Sequence, residues 1–170
     1  INKSIGLTTR KQAELRNEFG NAATLRIIHR YSFYPASMLS YRHAYHAGNH
    51  ADVLKHVVLV HLLRHLCRKD KAFWYVDTHA GAGRYALDSA LAAKLAEHRA
   101  GVGRLWECQD APAALDDYLQ RVREVNPGGE LRVYPGSPCL AAMITREHDR
   151  LRLFERHSRD VGHLRETMQE

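Results

Sequence analysis

The chain has 170 residues, a length that suits one domain with at most a small appendage. Apolar residues make up 45% and charged residues 26%, with 25 Lys and Arg against 19 Asp and Glu for a net charge of +6. That balance excludes a disordered or fibrous chain. The longest aliphatic run, Val57-Val58-Leu59-Val60, ends at His61. It is far short of the ~20 apolar residues of a transmembrane helix, and no signal peptide is predicted. Cys67, Cys108 and Cys139 are odd in number and form no CxxC pair, so they read as reduced thiols of a cytoplasmic protein. A pI near 9.4 favours polyanionic partners, weakly.

In chain order, Thr8 to Phe19 reads as a polar helix stopped by Gly20. Residues 21 to 37 show no clear period. Met38 opens a segment of different character, so a boundary is placed at Ser37/Met38, with residues 1–37 an N-terminal extension and 38–170 the main unit. Ala51 to Lys69 reads as a helix whose Val53, Leu54, Val57, Val58, Leu62 and Leu66 follow the spacing of one buried face. Phe73 to Asp77 reads as a buried strand, and Thr78 to Tyr85 as a Gly-containing loop. Asp88 caps a helix through Ala100, and Asp110 with Pro112 opens another to Val125. Asn126-Pro127-Gly128-Gly129 stops it. Leu131 to Tyr134 is a second strand, and Ser137, as a cap, starts a helix to about Glu147. Arg150 to Glu155 alternates as a strand, and Ser158 to Gln169 is a final helix. The order is α/β in type, with too few strands for a full doubly wound sheet.

The sharpest local signal is Asp77-Thr78-His79-Ala80-Gly81-Ala82-Gly83, directly after a predicted strand. Gly81 and Gly83 permit a tight turn and close approach of a ligand, at the strand end where open α/β sheets bind nucleotides. D-x-x-x-G-x-G suits a loop for S-adenosylmethionine better than the dinucleotide pattern; a plain turn is the competing reading. Glu155 closes the last predicted strand, where a carboxylate can accept both hydroxyls of a ribose. The 72 residues separating it from Gly83 are too many for that role unless about 88–130 is a helical insertion; an exposed acid at a strand end is the competing reading. Ser137, in Tyr134-Pro135-Gly136-Ser137-Pro138, caps a helix whose free N–H groups suit an anion, with an ordinary cap as the competing reading.

Seven of the twelve histidines fall between His43 and His79. His46/His50 and His61/His65 have i, i+4 spacing, yet neither pair carries an H-E-x-x-H glutamate, and no metal is expected. Tyr41, Arg42, His43, Tyr45, His46 and His50 interleave aromatic rings with hydrogen-bond donors, which suits stacking on bases and contacts to phosphates. A polar surface arm explains the same composition.

The run from Leu39 to His56 closely resembles the start of the bacterial 23S rRNA adenine-N6 methyltransferase family (RlmJ). Asp77 to Tyr85 resembles its cofactor loop, and Tyr134 to Pro138 a later segment. The resemblance covers Met38 to Glu170. It implies a Rossmann-like, S-adenosylmethionine-dependent methyltransferase fold with a small helical insertion. It also implies that His56, His79, Ser137 and Glu155 line the cofactor site with Gly81 and Gly83. Tyr41, His43 and Lys55 are implied to lie near the transferred methyl and the target adenine, with 23S rRNA as partner and the cytoplasm as location.

One departure is serious. The family is similar to other amino-methyltransferases that use an Asp-Pro-Pro-Tyr motif to hold the target amine, and these 170 residues contain no Asp-Pro-Pro. The chain is therefore expected to be the amino-terminal part of such an enzyme, without transfer activity alone and prone to associate. The alternative is a relative that holds RNA or cofactor without chemistry. A dinucleotide-dependent oxidoreductase is the third reading.

Overall fold

The computed structural model describes residues 24–29 and 42–169. The predicted helix at Thr8 to Phe19, the Ser37/Met38 boundary and Tyr41 lie outside those residues. Strand β1 is Thr24–His29. Helix α1 (His50–Cys67) leads into strand β2 (Trp74–Asp77) and the short strand β3 (Arg84–Ala86). Helices α2 (Ala90–Leu95) and α3 (Ala113–Glu124) fill the stretch before strand β4 (Val133–Pro135). Helix α4 (Ser137–Ile144), strand β5 (Arg150–Glu155) and helix α5 (Ser158–Thr167) follow.

Three strands form a parallel sheet in the order β1-β5-β2. A separate antiparallel pair joins β3 to β4. β5 is the middle strand and buries Leu151 and Leu153, while its pairing is in register with Leu25 and Ile27 on one side and Tyr75 and Asp77 on the other. β1 is an addition to the sequence reading, which saw no period there. Its Thr-Leu-Arg-Ile-Ile-His repeats the alternation of β5's Arg-Leu-Arg-Leu-Phe-Glu almost residue for residue, the pattern a half-buried strand requires.

The main core joins Val60 and Leu63 of α1, Tyr118, Leu119 and Val122 of α3, and Leu140, Ala141 and Ile144 of α4. A smaller cluster gathers Ala80, Leu153, Leu164 and Met168, with Ile27 packed against it. α1 buries a different face from the one its apolar periodicity indicated. Asp52, His56, Val60 and Leu63 point inward, whereas Leu54, Val58, Leu62 and Leu66 stand exposed. The reason is position: α1 packs on α3 and α4 through Val60 and Leu63, while its first turns border a polar cavity lined by Asp52 and His56. β2 also departs from the expected buried strand, since Trp74 and Val76 are exposed on one face.

The helix ends show where local reading failed. Ser89, rather than Asp88, caps α2 through the Ala92 amide at 3.2 Å. α2 stops at Leu95 because Ala96 adopts φ +51°, and short 3-10 turns at Glu97–Arg99 and Val102–Arg104 replace the rest of the predicted helix. Asp110 caps nothing; the residue preceding α3 is Pro112, which makes no side-chain cap bond. Asn126 instead closes the C-terminal end of α3. Its amide donates to the Val122 and Val133 carbonyls, and its oxygen accepts from the Arg132 and Val133 amides, tying the insertion to β4.

Candidate functional site

β2 and β5 run parallel and end side by side, so their following loops meet at one sheet edge. There the residues 78–81, the start of α4 and the first turns of α1 enclose a cavity of about 540 Å³. It is lined by His43, Lys55, His56, His79, Gly81, Ser137 and Glu155 among others. Seven residues singled out in the sequence thus come together, from stretches over 100 residues apart.

The loop after β2 is built around two carboxylates. Asp77 accepts from the His79 amide at 3.0 Å, from the Tyr75 hydroxyl at 3.0 Å and from the Ser137 hydroxyl at 2.5 Å. Ser137 is therefore the first residue of α4 rather than its cap, which is Gly136, and its hydroxyl is spent on Asp77. Glu155 accepts from the Gly81 amide at 2.8 Å through one oxygen and from the Arg156 and His157 amides at 2.7 Å through the other. Gly81 has φ +64°, and a Cβ there would fall 2.1 Å from the Tyr85 hydroxyl, so the loop requires glycine at this point. Gly83 sits behind the loop instead of on the cavity. Its nearest side chains are Thr167 and Leu164, and its carbonyl accepts from the Gly136 amide at 2.7 Å. His79 is exposed and contacts Thr78 Oγ1 through Nδ1 at 2.9 Å.

On the opposite wall, Asp52 is 1% exposed and collects three donors. The Gly48 amide donates at 3.0 Å and His43 Nε2 lies 2.8 Å away, both on Oδ2, while Lys55 Nζ is 2.7 Å from Oδ1. Burial opposes the charge of Asp52, but the His43 hydrogen bond, with Lys55 and His56 nearby, outweighs it and holds the carboxyl well below its usual range. His56 is buried beside it. Desolvation lowers the imidazole to about 4 despite the neighbouring Asp52 carboxylate, so it is neutral near pH 7. Its Nδ1 meets the Tyr134 hydroxyl at 2.8 Å. His43 also packs edge-on against Tyr85, with ring centroids 5.3 Å apart.

Asp52, Tyr85 and Asp160 line the cavity and were not singled out as site residues. Asp52 looked like a routine acid in a first helical turn; the nine residues to His43 gave no sign of pairing. Tyr41 lies outside the described residues. His46 is bound to Glu97 of the insertion at 3.0 Å and precedes α1, whose N-cap is Asn49, so it shares no helical face with His50. Among the described residues, no group of three or more His, Cys, Asp or Glu side chains is arranged to hold a metal ion, and no helix is long and apolar enough to cross a membrane.

Comparison with known proteins points to one family. A family model described as ribosomal RNA large subunit methyltransferase D, RlmJ, matches residues 70–170. Ribosomal RNA large subunit methyltransferase J of Escherichia coli (strain K12) is 51% identical over 132 residues, which is 78% of this chain and 47% of that protein. The protein of the same name from Haemophilus influenzae is 50% identical over 129 residues, 75% of this chain and 46% of the relative. A crystal structure from Legionella pneumophila str. Philadelphia 1, of the family model DUF519, superposes with a TM-score of 0.65 at 37% identity, covering 70% of this chain and 43% of that one. The chain spans about half the length of the curated relatives it matches. On this match, and with the quoted motifs brought together around one cavity, the chain belongs to the RlmJ family of ribosomal RNA large subunit methyltransferases.

Proposed function

We propose that the cavity binds S-adenosylmethionine and that the chain carries the cofactor half of a Rossmann-like methyltransferase acting on an adenine N6 of 23S rRNA in the bacterial cytoplasm. The observation that carries this reading is the pairing of Gly81 with Glu155 across two adjacent parallel strands. A nucleoside binds such a place, with its ribose diol donating to the carboxylate and its backbone-facing side against a glycine. The fit is good on other grounds. About 540 Å³ lies within the ~300–1,000 Å³ usual for small-ligand cavities. Gly81, whose Cβ direction is taken by the Tyr85 hydroxyl, lines the cavity through its backbone alone.

Each residue then has a distinct task. Glu155 is held by three backbone amides, and its oxygen bonded to Gly81 receives a ribose hydroxyl. His56, neutral and buried, and Lys55, at the mouth, offer donors to the carboxylate of the amino-acid end. Ser137 holds Asp77, which in turn holds the loop amide of His79, so the loop keeps its shape when the ligand enters. His43, between Asp52 and Tyr85, stands at the wall from which the target base approaches, and Tyr41 would stack on that base. The bound cofactor supplies a methyl group made electrophilic by its sulfonium. No carboxylate of this chain is assigned to the target amine, because these residues contain no Asp-Pro-Pro run. That same observation favours the second reading, a chain that holds cofactor or RNA without transfer.

Calorimetric titration with S-adenosylmethionine, and with NADH as control, tests the proposal. The expected result is one-to-one binding of S-adenosylmethionine alone, weakened about tenfold or more in Glu155→Gln, the loss of a charge-assisted hydrogen bond. Binding of NADH in preference, or equal affinity in the variant, would contradict it.

A further inference from the structure

His56 reaches the cavity from α1, but what orients it comes from elsewhere. Its Nδ1 lies 2.8 Å from the Tyr134 hydroxyl on β4, and that hydroxyl lies 3.1 Å from the Tyr118 hydroxyl on α3 of the insertion. The His56 and Tyr134 rings stack with centroids 5.6 Å apart. Tyr118 and Tyr134 are fully buried, and among the described residues Tyr118 makes this one side-chain hydrogen bond.

Two hydroxyl protons and one ring nitrogen can be arranged in few ways, and each one with the proton on Nδ1 leaves a phenolic proton unused, whether that of Tyr134 or that of Tyr118. If Tyr118 donates to Tyr134 and Tyr134 donates to His56 Nδ1, both phenolic protons are used. If His56 Nδ1–H donates to Tyr134 and Tyr134 donates to Tyr118, the Tyr118 proton is left in the core without an acceptor, which costs about as much as a lost hydrogen bond. The first arrangement is the stable one. It leaves Nδ1 as a bare acceptor and puts the proton on Nε2, the ring nitrogen left for the cavity.

We propose that the helical insertion acts on the ligand site through this relay: Tyr118 and Tyr134 are positioning residues that fix His56 as its Nε2–H tautomer, a neutral donor for a carboxylate. The opposite tautomer would present a lone pair to an anion and repel it. The insertion thereby has a task in ligand recognition, although none of α2 or α3 lines the cavity. The ligand side of this inference rests on the S-adenosylmethionine reading above; the tautomer does not.

Long-range proton–nitrogen NMR of the histidine-labelled 170-residue chain reads the tautomer directly, before any ligand is added. The expected spectrum has His56 Nδ1 as a bare, pyridine-type nitrogen and Nε2 as a protonated, pyrrole-type one. In Tyr134→Phe, which keeps the ring and removes the hydroxyl, the two signals should move toward each other. S-adenosylmethionine affinity should fall in proportion to the Nε2–H population lost, about twofold for an even mixture of tautomers. Tyr118→Phe should give a smaller change in the same direction. A wild-type Nδ1–H tautomer, or His56 signals unmoved by Tyr134→Phe, would overturn the relay. The predicted tautomer in a chain that binds no S-adenosylmethionine would leave the relay standing and overturn the cofactor reading instead.

Discussion

Asp52 is the residue on which the mouth of the cavity depends. Its buried carboxylate is the shared partner of the Gly48 amide, His43 and Lys55. Asp52→Asn keeps the shape and removes the charge, leaving His43 and Lys55 without the anion they share. Because Lys55 can turn to solvent, the expected loss is about 2 kcal/mol, below the ~3–5 kcal/mol of a fully buried broken pair; urea unfolding measures it, and an unchanged midpoint would contradict the account. His56 makes a pH prediction. Its folded pKa of about 4 lies below the ordinary 6.5. Between those values the unfolded chain binds a proton that the folded chain does not, so stability is full above 6.5 and falls as pH drops toward 4. The contribution of this one group is about 3 kcal/mol over the window. Melting of the wild type should show that fall and His56→Gln a shallower one. At this scale the sequence was legible wherever a motif was long. His43, Lys55, His56, His79, Ser137 and Glu155 could be named on resemblance, whereas Asp52 and the two tyrosines depend on contacts formed only by folding. Tyr134 is 78 residues from His56, and no local pattern links them.

Among the elements, the strands and helices that carry the cavity were readable in type, and most of their ends were not. Arg150–Glu155 matches its predicted bounds, because alternation and burial agree there. α2 falls short because Ala96 turns out of the helix to let Gly101 meet the segment before α1. A Cβ on Gly101 would lie 2.1 Å from the Gly48 carbonyl and 2.7 Å from Asn49 Cα, both backbone, and the Val102 amide donates to that carbonyl at 2.9 Å. This close approach locks the His46–Asn49 stretch to the insertion, with the Asn49 and His46 side chains on Glu97. Gly101→Ala should therefore cost at least ~1–3 kcal/mol, as overpacking does. Gly128→Ala, where a Cβ meets nothing, should stay within about 0.5 kcal/mol. Equal melting temperatures for the two variants would contradict the packing described.

On the scale of the whole molecule, two apolar surfaces are unlike the rest. Among the described residues, Leu54, Val58, Leu62 and Leu66 form an exposed stripe at i, i+4 spacing along α1, and β2 is an edge strand with Trp74 and Val76 exposed. An open strand edge and an apolar stripe both favour association. The chain is expected to self-associate with concentration in sedimentation velocity, and Leu54→Lys with Leu62→Lys to reduce this; a monomer insensitive to both changes would show that the stripe is tolerated in water. The sequence marked those four residues as buried because helical periodicity reports that a face is apolar and leaves open what covers it. The central claim concerns the cavity: Glu155 and the Gly81 loop cradle a nucleoside. A crystal structure of the chain with S-adenosylhomocysteine tests it most directly. The account predicts a ribose hydroxyl on the Glu155 carboxylate and the amino-acid carboxylate at His56 Nε2; a ligand bound away from Glu155, or absent from the cavity at saturating concentration, would contradict it.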